Sequence, residues 1–465
     1  MTNDDPRPRD LRRPWAQSGR PIPRRIVQPL QAYLHTEAAG GVLLVIATVV
    51  ALVWANLSPG SYDRFWHTSI SITIGSRTVD EDLAAWVNDG LMAVFFFVVG
   101  LEIKRELVSG ELRTRASAAL PLLGALGGMV VPALIYLAVN AGTPEVNGWG
   151  IPMATDIAFA LGVLGLVGRG LPVGLRTTLL ALAIVDDIGA VIVIAIVYAD
   201  RISTGILAMD VALILTILLL RRMTVRAPAA YWLLGIAVWY LTWRSGVHAT
   251  IAGVVLGLIT PATPFQPPAN VSLEAHRIAD ETDDHPEPPD ADAAEWLSLA
   301  RLSRQAVSPA TWLESLLHPW SSFFVLPIFA LANAGVRLTG DSIRAAFSTR
   351  VAVGIVAGLL VGKFVGISLG CVAGVRAGVT RLPRGVAWGD IGGMAALAGI
   401  GFTVALFITS LAFEDRATQD AAKVAILDAS VLAALIGSAI LIVRRRTGDT
   451  QRARPDDSGA GDGRA

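Results

Sequence analysis

LALAIVDDIGAVIVI (180–194) sets two adjacent carboxylates, Asp186 and Asp187, in the middle of an otherwise apolar run. The run extends over about 177–199, long enough as a helix to cross a bilayer core of roughly 30 Å. Asp186 is at least nine residues from either end. At a rise of about 1.5 Å per residue it is about 14 Å from each surface. A short carboxylate at that depth cannot snorkel to water. Successive helix positions point about 100° apart, so the two aspartates cannot share one partner. One can pair with a cation while the other faces a water-filled cavity. An ionisable group in such a place is costly and signals function.

Composition extends this reading to the whole chain. Of 465 residues, 53% are hydrophobic and 16% charged, against about 25% charged in soluble domains. The 45 glycines fit membrane helices, where Gly is commoner than in soluble ones. A net charge of zero gives no footing for nucleic acid. The single cysteine, Cys371, lies in an apolar run, so there is no disulfide framework or thiolate metal site. No cleaved signal peptide is visible, and residues 1–37, rich in Arg and Pro, read as a disordered cytoplasmic arm.

Twelve apolar segments follow, near 38–56, 84–101, 116–139, 151–168, 177–199, 204–220, 229–243, 246–260, 320–336, 350–375, 392–413 and 421–443. The sequence thus predicts an all-α membrane protein of twelve transmembrane helices spread over 38–446, with a disordered tail at 447–465. Short segments near 151–168, 229–243 and 246–260 suggest packing inside the bundle. Arginine-rich stretches precede the first helix and follow the second, fourth, sixth, tenth and twelfth. The intervening loops are poorer in positive charge, which puts both termini in the cytoplasm. SISITIGSRTV (69–79) alternates polar and apolar residues around Gly75-Ser76, a β-hairpin signal on the outer face. Its strand edges are expected to join two copies as a homodimer. The stretch 261–318, rich in Pro, Asp and Glu around 281–292, reads as a mobile cytoplasmic insert with one short amphipathic helix at Ala293–Leu302.

Few other charges fall within the apolar segments. Asp156 follows Pro152 and Thr155 in the fourth, and Lys363 sits mid-way through the tenth. Asp89, Asp210 and Asp428 lie in the second, sixth and last. An Asp186–Lys363 pair that only fixes helix register would explain one carboxylate and leave Asp187 and Asp156. Three carboxylates against one ammonium call for a cation or protons. The chain has only three lysines, Lys104, Lys363 and Lys423, and Lys, unlike Arg, can release its proton when buried. Gly354, Gly358, Gly362, Gly366, Gly370 and Gly374 make a smooth ridge around Lys363 that lets another backbone approach. GIGFT (399–403) and the Pro152–Asp156 stretch are expected to interrupt their helices.

At these residues the sequence resembles the NhaA-type sodium–proton antiporters. The matching stretches include NDGLMAVFFFVVGLEIKREL (88–107), IPMATDIAFALGVL (151–164), LALAIVDDIGA (180–190), SGVHATIAGV (245–254), LPIFALANAGV (326–336), GLLVGKFVGIS (358–368) and GIGFT (399–403). They span most of the chain from Glu37 to about Arg446. The resemblance implies inverted repeats, with helices four and eleven unwound and crossing. The general association of paired broken helices with a mid-membrane site was itself drawn partly from this family. It also implies exchange of Na⁺ or Li⁺ for two protons across the bacterial inner membrane, with no cofactor. Carried over by motif, Asp187 is the principal Na⁺ and proton carboxylate, and Asp186 its neighbour, paired with Lys363. Asp156 offsets the positive ends of the half-helices and Lys363 the negative ends. Thr155 adds a hydroxyl oxygen, which suits a hard cation, beside the carboxylates. Glu102, Arg105, Glu106, Glu314 and His318 match a cytoplasmic pH-response cluster, and His248 a further histidine linked to pH response and the subunit interface. Ser315 stands where well-studied members carry a second histidine. The long acidic insert and the Arg-rich arm are departures too.

Two other classes remain to be separated. An intramembrane aspartyl protease would use Asp156 and Asp187 as a dyad, but a GxGD-type signature is absent and a buried lysine has no place in it. A cation channel sits poorly with interrupted helices and a midplane lysine. No GxxxxGK[ST] loop is present for ATP-driven pumping.

Overall fold

Residues of the long apolar runs form helices in a computed structural model. It describes residues 37–452 apart from 75–76, 169–170, 200–201, 226, 285–292, 341–343 and 345–347. The expectations for the arm up to residue 36, the Gly75-Ser76 turn, Arg169, the acidic stretch 285–292 and the tail beyond 452 lie outside the described residues.

Helix α1 (Glu37–Leu57) and the short α2 (Pro59–Trp66) lead into strands β1 (Ser69–Ile74) and β2 (Arg77–Asp82). The strands pair antiparallel with Ser69 opposite Asp82, so the second runs three residues beyond Val79. Asp82 ends the hairpin and caps the next helix by accepting the Ala85 N–H. It also bonds His67 Nδ1 at 2.6 Å, while Arg416 donates to His67 Nε2 at 2.6 Å. One imidazole thus ties the hairpin to the start of the last helix. Then come α3 (Leu83–Val108) and α4 (Arg115–Val139). A 3₁₀ segment, Pro144–Met153, and α5 (Ile157–Val167) meet at a 42° bend. Next are α6 (Val173–Val197), α7 (Thr204–Arg222), α8 (Pro228–Arg244) and α9 (Ala249–Ile259). Two polar helices, α10 (Pro268–Asp284) and α11 (Ala293–Gln305), precede α12 (Pro309–Asn333) and α13 (Arg350–Arg376). Finally α14 (Trp388–Leu397) and α15 (Phe402–Ala412) meet at 46°, and α16 (Arg416–Arg452) closes the chain.

Eight helices among the described residues are long and apolar enough to cross a membrane, or ten if each bent pair is one span. Helices α8 and α9, with 17 and 11 residues, are too short to count by length. At about 1.5 Å per residue α9 rises only about 16 Å.

Three boundaries differ from the sequence reading. The segment placed at 320–336 begins at Pro309. Ser308 caps it through the Thr311 N–H, and Pro309 suits the first helical turn. The insert is therefore shorter than 261–318, and most of it is helical. Val271, Ala275 and Ile278 recur at helical spacing, and Ile278 is fully buried. Helix α16 carries on past residue 446 to Arg452, the ladder continuing through polar residues.

The glycine ridge works as read. It packs α13 against α4 with backbone touching backbone. A Cβ on Gly366 would lie 2.1 Å from the Gly127 carbonyl oxygen, and one on Gly370 2.1 Å from that of Leu123. Neither obstacle is a side chain that can rotate away. Gly366→Ala is therefore expected to push the helices apart and destabilise the protein by about 1–3 kcal/mol or more. Lys363 lies one turn away, so ion exchange should fall with it. Unchanged thermal unfolding in detergent would show that the contact is not tight.

Candidate ion-binding site

Both helix breaks come together. The Asp156 N–H donates to the Ile400 carbonyl at 2.6 Å, and the Thr155 hydroxyl lies 2.9 Å from the Ala398 carbonyl. Each bond occupies a main-chain oxygen near the end of α14 that the break frees from helical pairing. The Asp156 carboxylate caps two helices at once. Oδ1 accepts the Phe159 N–H at 2.9 Å, in the first turn of α5. Oδ2 accepts the Thr403 N–H at 3.1 Å, in the first turn of α15. Two positive helix ends thus converge on one buried anion, as the resemblance implies. With both oxygens so engaged, Asp156 is poorly placed to act as half of a proteolytic dyad.

Asp186 and Asp187 lie midway along α6, 1% and 3% exposed. Lys363, fully buried, bonds Asp186 Oδ2. It stands directly after a π-helical turn, Gly358–Gly362, in α13, a distortion often found at functional positions. Thr155 Oγ1 is 2.6 Å from the same oxygen. One hydroxyl proton serves either Asp186 or the Ala398 carbonyl at a time. Asp186 Oδ1 is buried with no hydrogen-bond partner among the described residues.

Asp187 makes no hydrogen bond or ion pair among the described residues. The Lys363 bond goes to Asp186, as the resemblance implies, and the 100° turn between neighbours leaves Asp187 out of it. Asp187 is near enough to Asp186, Asp156 and Glu102 to feel their charges. Seven residues earlier on the same helix face, Leu180 helps line a cavity of about 340 Å³ with Glu106, Glu111 and Thr177. Two helical turns, about 10 Å, separate that cavity from Asp187.

Beside the cavity stands the predicted charged cluster. Arg105 bonds Glu314 at 2.5 Å and lies 3.4 Å from Glu106. Glu106 accepts the Glu111 N–H at 2.9 Å. Glu314 Oε2 is buried with no partner among the described residues. Glu102 is one turn before Glu106 on α3, and His318 one turn after Glu314 on α12. His248 is apart from them, bonded through Nε2 to the Tyr198 carbonyl at 2.5 Å.

The sequence reading missed the main-chain partners of Asp156 and Thr155, because backbone groups leave no signature beyond GIGFT itself. It named Asp210 without a partner; the Thr242 hydroxyl donates to it at 2.8 Å. Among the described residues no group of three or more His, Cys, Asp or Glu side chains could hold a metal ion. The candidate set of Asp187, Asp186 and Thr155 offers oxygen donors only.

A family model described as Na+/H+ antiporter 1 matches residues 31–441. The chain belongs to this family. It is 46% identical over 440 residues to Na(+)/H(+) antiporter NhaA 2 of Sorangium cellulosum, covering 92% of each chain. It is 47% identical over 422 residues to Na(+)/H(+) antiporter NhaA 3 of Frankia alni, covering 90% of this chain and 89% of that one. Among solved structures, the sodium proton antiporter MjNhaP1 of Methanocaldococcus jannaschii at pH 8 aligns at TM-score 0.46 and 12% identity, covering 90% of this chain and 98% of that one. The antiporter family consists of transporters, not enzymes. The apolar helices of this member are those of a multi-span membrane protein.

Proposed function

We propose that the protein exchanges cytoplasmic Na⁺ or Li⁺ for external protons across a bacterial inner membrane, two protons per ion. The observation that carries this is a buried carboxylate, Asp187, without a bond among the described residues, beside a second whose charge is already met by Lys363. Na⁺ is read as binding Asp187, the open Oδ1 of Asp186 and, when Thr155 turns, its hydroxyl. Protons compete for the same oxygens. The second proton rides on Asp186 or on Lys363 as their pairing changes. Asp156 holds the two broken helices in register while they move.

In this reading both termini are cytoplasmic, and α8 and α9 complete twelve spans arranged as inverted repeats, the bent pairs crossing as helices four and eleven. The arm 1–37 and the tail act outside the transport domain. Glu102, Arg105, Glu106, Glu314 and His318 respond to cytoplasmic pH beside the cavity, and His248 is a further histidine tied to pH response and the subunit interface. One net charge moves per cycle, so about 2.3 kcal/mol per 100 mV helps expel Na⁺. The test is Na⁺-driven proton movement in everted vesicles, with and without a membrane potential. A Na⁺ leak without proton movement would support a channel instead. Exchange insensitive to potential would remove the two-proton stoichiometry.

The hairpin β1–β2 supports a homodimer, since its exposed strand edges can pair with those of a second copy. Removing residues 69–79 should convert dimer to monomer in native mass measurements. An unchanged oligomer would assign the interface elsewhere.

A further inference from the structure

Helices α10 and α11 pack against each other as a hairpin, with Ile278 of α10 buried. Its base is closed by the Phe265 and Gln266 N–H groups, both 3.0 Å from the Gln305 carbonyl. The transport reading gives it no task. Yet it exposes large apolar side chains, with Leu273 71%, Trp296 46% and Leu297 62% accessible. Leu297, Arg301 and Arg304 follow each other at spacings of four and three, which sets them on one face of α11. Both arginines are exposed. An apolar side with Trp and Leu beside Arg is the pattern of a helix lying in a lipid headgroup layer.

Position identifies the occupant. Only residues 306–308 join α11 to the crossing helix α12, a reach of about 11 Å. In α12, Trp312, Leu316 and Trp320 recur every fourth residue and are all exposed, as a lipid-facing stripe would be. Val307, in the short link, is exposed as well and carries the apolar surface from that stripe toward α11. The basic residues Arg301 and Arg304 lie near the base of the hairpin. Of the acidic residues in the two helices, Glu274 is paired with Arg277 at 2.7 Å, and Asp280, Glu281, Asp283, Asp284 and Glu295 all fall toward the far end, away from the base and its arginines.

We propose that the α10–α11 hairpin lies on an anionic lipid surface, with Leu273, Trp296 and Leu297 in the headgroup layer and Arg301 and Arg304 against lipid phosphates. The attachment responds to the anionic lipid content of the membrane and weakens with salt.

The buried Cys371 is the chain's sole cysteine, so a surface thiol can be labelled selectively. Full-length L297C and, separately, L273C carry an environment-sensitive fluorophore. Each is placed in phosphatidylcholine vesicles with or without phosphatidylglycerol, some holding lipids with a nitroxide at the headgroup. With phosphatidylglycerol present, nitroxide lipid is expected to quench both labels by about twofold or more, while aqueous iodide has little effect. Adding R301E and R304E should return the labels toward water. Free access of iodide with no effect of nitroxide lipid would overturn the proposal. So would protection from both quenchers, which would indicate a protein partner. Equal lipid quenching with R301E and R304E would overturn the role of the arginines.

Discussion

Asp187→Asn is expected to abolish Na⁺-driven proton movement while the protein still folds and inserts. Asparagine keeps the volume and removes the charge. Asp187 has no hydrogen bond or ion pair among the described residues, so little structural bonding is lost. What disappears is the ionised oxygen that attracts the cation and accepts the proton. Loss of a charged partner in a buried site is worth about 2–5 kcal/mol, roughly 30-fold to a few thousandfold in Na⁺ affinity. The neighbouring pair behaves differently. Lys363→Met leaves Asp186 buried with only the Thr155 hydroxyl, at a cost of about 3–5 kcal/mol if the carboxylate stays charged. The two variants should therefore separate in one pair of measurements, vesicle flux and thermal unfolding in detergent. D187N loses flux and keeps stability; K363M loses stability as well. Substantial flux through D187N would sink the assignment of the site.

That contrast shows what could be read from the chain before its fold. Asp186 and Asp187 stood out because charge in the middle of an apolar run needs a reason. The glycine ridge stood out because small residues at every fourth position let another backbone approach closely. The pairing of Asp186 with Lys363 was expected, whereas the π-turn directly before Lys363 left no signal in the sequence. The double cap on Asp156 was half legible. Its negative charge at a break suggested helix ends, but the Thr403 N–H comes from a segment almost 250 residues away. The start of α12 was misplaced because Glu314 and His318 looked like loop residues. Glu314 is in fact buried and bonded to Arg105, while His318 one turn on is exposed, and a helix start with such polar residues reads as a loop when only hydropathy is counted.

The second large effect is a shift of Na⁺ affinity with pH. If Na⁺ and protons compete for Asp187, the apparent affinity for Na⁺ falls as protons occupy the carboxylates. The fall should be about tenfold per pH unit for one competing proton, and steeper if Asp186 takes a second. Coupling is favoured because Asp187 feels the charge of Asp186, whose Oδ1 has no hydrogen-bond partner among the described residues while Oδ2 holds Lys363. Competition has a signature that a separate gate lacks: saturating Na⁺ restores much of the rate at moderately acid pH. The cluster of Arg105, Glu106 and Glu314 offers the rival account. It lines and flanks the cavity about two helical turns from Asp187, and its Glu314 has an oxygen without a partner among the described residues. Protonation there could close the cavity without touching the ion site. Rates measured across pH at rising Na⁺ decide between them. If activity collapses at acid pH at every Na⁺ concentration, and Glu314→Gln moves the pH of collapse, the cluster governs transport and direct competition is not the control.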